Sequence, residues 1–98
     1  MKIRVPYSDV TRLTFIEKGL SELDLSCDPN LGILCVNYNQ LTELDLSHTP
    51  NLRVLRCLNN QLTSLDLTST SNLEILEISG NNLTELDLSN VPDLIELS

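Results

Sequence analysis

Four aspartates recur at a constant interval of 21 residues: Asp24, Asp45, Asp66 and Asp87. Glu22, Glu43 and Glu85 precede three of them by two positions. A chain that coils with that period puts all seven carboxylates on one face. Clustered carboxylate oxygens suit a hard cation such as Ca²⁺, and two carboxylates at the right separation can act as general acid and base on a glycosidic bond. Neither chemistry is expected. No Gly-x-Asp loop of the calcium-binding solenoids is present. The pair repeats in nearly every unit, whereas a reaction needs one site. With aromatic residues at 3% and no Trp, no ring-lined cleft is available to hold a sugar. The expected state is a solvated acidic face, each Asp held by a local hydroxyl or amide. Stacked about 5 Å apart, the carboxylates should repel, which raises their pKa values.

The other reactive side chains are few. His48 is the sole histidine and has no nucleophile or ligand set at a matching spacing. Cys27, Cys35 and Cys57 are odd in number and fit no metal spacing, so reduced thiols are expected. No catalytic residue, metal or cofactor is assigned, and the chain reads as a non-enzyme.

The elements that position these residues follow from the repeat. Leu20, Leu41, Leu62 and Leu83 each open nearly the same phrase: Leu-Ser-Glu-Leu-Asp-Leu-Ser at 20–26, with close copies at 41–47, 62–68 and 83–89. A turn rich in Pro and Asn follows each phrase. Then comes a second phrase, Leu-x-x-Leu-x-Val/Cys/Ile-x-x-Asn-x-Leu, at 31–41, 52–62 and 73–83. Both phrases alternate with the period of two that marks a strand. One unit cannot bury its own leucines. Stacking units at about 4.8 Å creates a continuous core and pairs backbone between coils. The chain has no alanine, and no unit has a helical period.

The second phrase resembles the leucine-rich repeat signature. The whole unit looks like the bacterial 21-residue subtype with a nested motif, in which Leu-x-x-Leu-Asp-Leu-Ser replaces the usual helical half. The resemblance implies a mostly β solenoid. Parallel strands line its concave face, short strands or extended segments line the opposite face, and helix is scarce or absent. The expected units are 20–40, 41–61, 62–82 and a partial 83–98. Residues 1–19 form a degenerate capping coil. There Val10, Leu13, Phe15 and Leu20 echo the signature, Lys18 stands in the asparagine position, and residues 2–5 form a capping strand. The resemblance also implies that Asn39, Asn60 and Asn81 point inward as a structural ladder. Their amides can meet the turn groups of neighbouring coils, since asparagine offers two donors and an acceptor. It further implies protein–protein recognition.

Function is expected where the units differ. The outward positions of the concave strand read Arg12, Ile33, Val54, Ile75, Glu96 in one column and Thr14, Cys35, Arg56, Glu77, Ser98 in the next. This predicts an exposed apolar stripe, Ile33–Val54–Ile75, with Leu58 and Tyr38 beside it and Arg53, Arg56, Glu74 and Glu77 as a charged rim. An apolar centre with a polar rim is the anatomy of a protein contact. The expected contact residues for a protein or peptide are Ile33, Cys35, Tyr38, Val54, Arg56, Leu58, Ile75 and Glu77. Cys57 should face inward as a small core residue, opposite Cys35, which disfavours a disulfide between them.

Charge excludes other partners. The formal net charge is −8 and the pI is near 4.3, so neither nucleic acid nor an anionic membrane surface is an expected partner. Residues 1–19 carry a net +2 and residues 20–98 a net −10. No signal peptide and no apolar run of the ~18 residues needed to span a membrane is visible. A fragment of a longer family member would be expected at the cell surface or secreted. Leu94 to Ser98 starts a concave strand and stops, which points first to a fragment of a longer repeat protein and otherwise to self-association edge to edge through that strand. The alternative to a recognition module is therefore a structural spacer, or a self-associating segment of a longer surface protein.

Overall fold

The computed structural model describes residues 1–4 and 10–98. Its strands are β1 (Lys2–Arg4), β2 (Arg12–Thr14), β3 (Glu22–Asp24), β4 (Ile33–Cys35), β5 (Val54–Arg56), β6 (Ile75–Glu77) and β7 (Glu96–Leu97). No helix occurs among the described residues. Strands β2, β4, β5, β6 and β7 form one parallel sheet in that order, and β1 pairs with β3 in parallel on the other side. Every step of the larger sheet advances 21 residues: Arg12, Ile33, Val54, Ile75 and Glu96 lie side by side, as do Leu13, Leu34, Leu55, Leu76 and Leu97. The molecule is the parallel β-solenoid that the repeat predicts. Of residues 2–5, expected as a capping strand, Lys2–Arg4 is a strand and Val5 lies outside the described residues.

On the side away from the five-stranded sheet, only the first of the Leu-Asp-Leu phrases is a strand. Its later copies run extended, tied coil to coil where Gln40 N donates to Leu20 O, Gln61 N to Leu41 O and Asn82 N to Leu62 O. The leucine columns meet between the two sides. Leu20, Leu31, Leu34, Leu41, Leu52, Leu55, Leu62, Leu73 and Leu76 are fully buried. Cys57 joins them at 0% exposure, in line with Val36 and Ile78, and burial pushes its thiol pKa up to about 12. It is a core residue in the reduced state.

Two columns of turns let the chain reverse. In the first, the amides of Asp28, Thr49, Thr70 and Val91 donate to the leucine three residues back, and their carbonyls accept from the leucine three residues on. In the second, Glu17, Tyr38, Asn59 and Gly80 all adopt the left-handed conformation, with φ of 54°, 59°, 57° and 77°. Only Gly80 takes it without the clash that a Cβ brings.

The asparagines tie these reversals together. Asn60 Nδ2 donates to Val36 O (3.0 Å) in the preceding coil and to Cys57 O (3.2 Å) in its own, while its Oδ1 accepts Leu41 N (3.1 Å). Asn39 serves Phe15 O, Val36 O and Leu20 N in the same way, and Asn81 serves Cys57 O, Ile78 O and Leu62 N. Asn39 and Asn60 are 6% and 5% exposed. Truncating such a residue strands several buried backbone groups, each at a cost of about 1–3 kcal/mol. Asn60→Ala is therefore expected to lower the unfolding free energy by roughly 2–5 kcal/mol in a denaturant titration. The same change at the less buried Asn81 should cost less.

One member of the first turn column buries a charge, where Val91 is apolar and the other two are threonines. Thr49 and Thr70 are buried and donate their hydroxyls to Leu46 O and Leu67 O, both at 3.3 Å. Asp28 fills the same place and is equally buried, yet neither carboxylate oxygen has a hydrogen-bond partner among the described residues. Desolvation raises its pKa, and the nearby charge of Asp24 adds to the rise. A carboxyl whose folded pKa lies above its unfolded value penalises the fold at neutral pH, and the penalty disappears as protonation proceeds. Asp28→Thr should stabilise the protein at pH 7 by about 1–3 kcal/mol. That gain should shrink as pH falls through the folded pKa and vanish below the unfolded value, which paired melts across pH would show.

Candidate functional site

The outward face of the five-stranded sheet is assembled by register alone. Each strand presents one residue per coil in a column, so residues 21 apart in sequence become lateral neighbours. Ile33, Val54 and Ile75 form the expected apolar column. Its exposure differs from the expectation. Ile33 and Ile75 are half-buried, and Val54 is only 7% exposed. At the strand spacing of about 4.8 Å the two larger isoleucines shade the smaller valine between them. The stripe is a self-packed ridge, and the exposed apolar surface lies at its flank. There Tyr38 is 51% exposed and Leu58 half-buried. Cys35 is half-buried on this face, away from the core that holds Cys57.

The charged rim is also partly spent within the protein. Arg56 Nε lies 3.4 Å from Glu77 Oε2, and Arg53 Nε lies 3.6 Å from Glu74 Oε2. Arg56 and Glu77 are partners in register on adjacent strands, the favourable arrangement for opposite charges across a sheet, and Arg53 and Glu74 immediately precede those strands. At this exposure they add little stability. Their main effect is to hold each guanidinium beside a carboxylate of the next coil. The spacing of 21 between the partners is legible in the sequence, which places these four residues as a charged rim without pairing them. The left-handed column was legible too: Tyr38 stands where the next units carry Asn59 and Gly80, two residues that favour that conformation.

The opposite face holds a shallow recess of about 740 Å³ that the sequence did not announce. Lys2, Glu22, Asp24, Glu43, Asp45, His48 and Asp66 line it. Its aspartates depart from the expectation of raised pKa values. Asp24, Asp45 and Asp66, and Asp87 beyond the recess, are all shifted down by the neighbouring hydroxyl and amide of the Ser or Thr two residues on, and the Thr68 hydroxyl donates to Asp66 Oδ1 at 2.7 Å. The amide bonds are 2.9 Å in all four coils. This local turn outweighs repulsion between neighbours in water. The carboxylates thus stay ionised and are occupied with their own turns. His48 sits at the rim, 3.2 Å from Ser47 Oγ and 4.0 Å from Asp45 Oδ2. Among the described residues no group of three or more His, Cys, Asp and Glu is arranged to hold a metal ion.

No protein-family model and no curated protein matches the chain. Solved structures do. One is the functional domain of InlJ from Listeria monocytogenes, which includes a cysteine ladder. The two share 28% identity with a TM-score of 0.67, over 98% of this chain and 26% of that one. The chain therefore spans about a quarter of the length of its structural neighbour. Its own cysteines stack no ladder. Cys57 shares a column with Val36 and Ile78, Cys35 with Arg56 and Glu77, and Cys27 with His48. In architecture the chain is a repeat protein with a leucine-rich-repeat-like solenoid fold, similar to that internalin.

Proposed function

We propose that the chain is a non-catalytic recognition module that binds a protein or peptide through the outward face of its five-stranded sheet. In this reading its 21-residue coils are of the nested bacterial subtype, and residues 1–19 cap the stack. The observation that carries it is the contrast between columns. Inward leucines, the asparagine ladder and the aspartate turns repeat from coil to coil, because every coil must solve the same packing problem. The outward columns change at each step: Arg12, Ile33, Val54, Ile75, Glu96, and Thr14, Cys35, Arg56, Glu77, Ser98. A rigid sheet whose open face changes from coil to coil is a scaffold for recognition. Similarity to the functional domain of InlJ supports the same class of role.

The contact residues proposed are Ile33, Cys35, Tyr38, Arg56, Leu58, Ile75 and Glu77, with Tyr38 as the exposed anchor and Arg56 as the charged one. Aromatic and Arg side chains dominate the energetics of protein contacts. Val54 contributes by bracing Ile33 and Ile75 rather than by touching a partner. Catalysis is disfavoured by the aspartate turns. Carboxylates held low by local hydrogen bonds are poor proton donors near neutral pH, and they recur in every coil.

Selection from a displayed random-peptide library tests the reading. Peptides that bind the wild-type chain should lose about ten-fold or more in affinity for a Tyr38→Asn/Arg56→Thr variant. Those replacements use residue types that other coils place in the same columns, so the fold should be retained. A Glu43→Lys variant, altered on the opposite face, should bind as wild type does. Selected peptides that respond to Glu43→Lys and ignore the sheet-face variant would reject the assignment, and so would a library that yields no binders.

A further inference from the structure

Strand β4 lies between two strands whose outward charges are all positive. Its own outward residues, Gly32, Ile33, Cys35 and Asn37, are uncharged and half-buried. On one side stands β2, with an exposed Arg12 beside Ile33. On the other stands β5, with Arg53 beside Gly32 and Arg56 beside Cys35. Among the described residues no carboxylate borders β4 on this face. Glu74 and Glu77 come one strand later, and Glu17 sits past the strand end, in the turn column of Tyr38. Gly32 deepens the strip between the two basic walls. The fold does not require glycine there: its φ lies outside the left-handed region, and a Cβ would meet Thr11 O at 3.7 Å and Asn51 O at 4.0 Å, ordinary contact distances. The two β5 arginines also keep unused donors. Each meets its glutamate through Nε, and neither donates from Nη among the described residues. The Arg53 side chain is 59% exposed. A guanidinium in that state still offers the forked donors that match a carboxylate.

We infer that the strip over β4 receives an extended acidic segment of a partner protein, carrying two carboxylates two or three residues apart. The inference rests on the recognition reading and gives its partner a chemistry. Arg53 and Arg56 are three residues apart on one strand, about 10 Å at the strand rise. Two carboxylates at the stated offset in an extended segment span that distance, with the long arginine side chains taking up the difference. An apolar side chain between them rests on Ile33, and Arg12 bounds the far side. Toward Tyr38 the segment turns apolar, because Glu17 repels a third carboxylate there and the exposed tyrosine ring and Leu58 offer apolar surface. Charge confines the segment to this strip. Glu74 and Glu77 repel it from β6, and the aspartate column repels it from the opposite face. The intrachain pairs compete with the partner: Glu74 holds Arg53, and Glu77 holds Arg56, until partner carboxylates take up the free donors.

The probe is the set of library peptides that bind the wild-type chain and are lost on Tyr38→Asn/Arg56→Thr. Their sequences should be enriched in paired Asp or Glu. Synthetic copies with those residues changed to Asn or Gln should bind about ten-fold or more weakly by fluorescence polarisation at low salt. Affinity of the originals should fall as salt rises. Three variants of the chain place the segment. Gly32→Ile fills the strip with the residue type that Ile95 brings to the same column, and Arg53→Gln removes one fork. Each should lower affinity about five-fold or more, with circular dichroism confirming the fold. Glu74→Gln frees Arg53 and should raise affinity about two- to three-fold. Sheet-dependent peptides with no excess of carboxylates would overturn the inference and leave the recognition reading standing. So would amide copies that bind as the originals do, Gly32→Ile and Arg53→Gln chains that bind as wild type does, or a Glu74→Gln chain that binds more weakly. A library with no sheet-dependent binders would overturn both.

Discussion

Turning a chain twice in 21 residues strands backbone amides and carbonyls inside an apolar stack, and the asparagine ladder is what makes that arrangement tolerable. Each Asn binds its own turn and also reaches into the coil before it. The leucines could not be brought together without it, because burying them also buries the turn groups that join the coils. The ladder also sets the direction of stacking. Every asparagine depends on the preceding coil for part of its satisfaction, so no coil is stable alone and the chain folds as a series of mutual supports.

From that constraint follows a division of labour between the two faces. The sheet side is built from continuous backbone ladders over five strands, which hold outward residues in fixed columns. The opposite side has a ladder only at its first step and is otherwise held by local turns and single bonds. Its aspartates are therefore engaged in making turns. The sheet face is the place where side chains are positioned rigidly and left free of structural duty, apart from the Arg53–Glu74 and Arg56–Glu77 pairs.

Asp28 shows the tension between repetition and local identity. Its column asks for a side chain that can be buried: Thr49 and Thr70 donate to a carbonyl, and Val91 is apolar. An ionised carboxylate cannot donate. Buried without a partner among the described residues, it introduces strain of an electrostatic kind at one turn of an otherwise regular stack.

The period of 21, the parallel solenoid and the inward place of Leu34, Leu55, Cys57 and Leu76 were all determined by sequence, because side-chain alternation and exact recurrence leave one way to bury the leucines. Columns follow from the period, so the neighbours of Arg56 or Ile33 could be named in advance. What tertiary structure decided was how those neighbours share space. Val54 is hidden because two isoleucines flank it at strand spacing. Arg53 and Arg56 are drawn to carboxylates one strand away. The aspartates are held at low pKa by hydrogen bonds that depend on turn geometry, where spacing alone suggested repulsion. Burial, pairing and proton affinity depend on distances of a few ångströms between coils, and a repeat pattern records which residues meet without recording how closely.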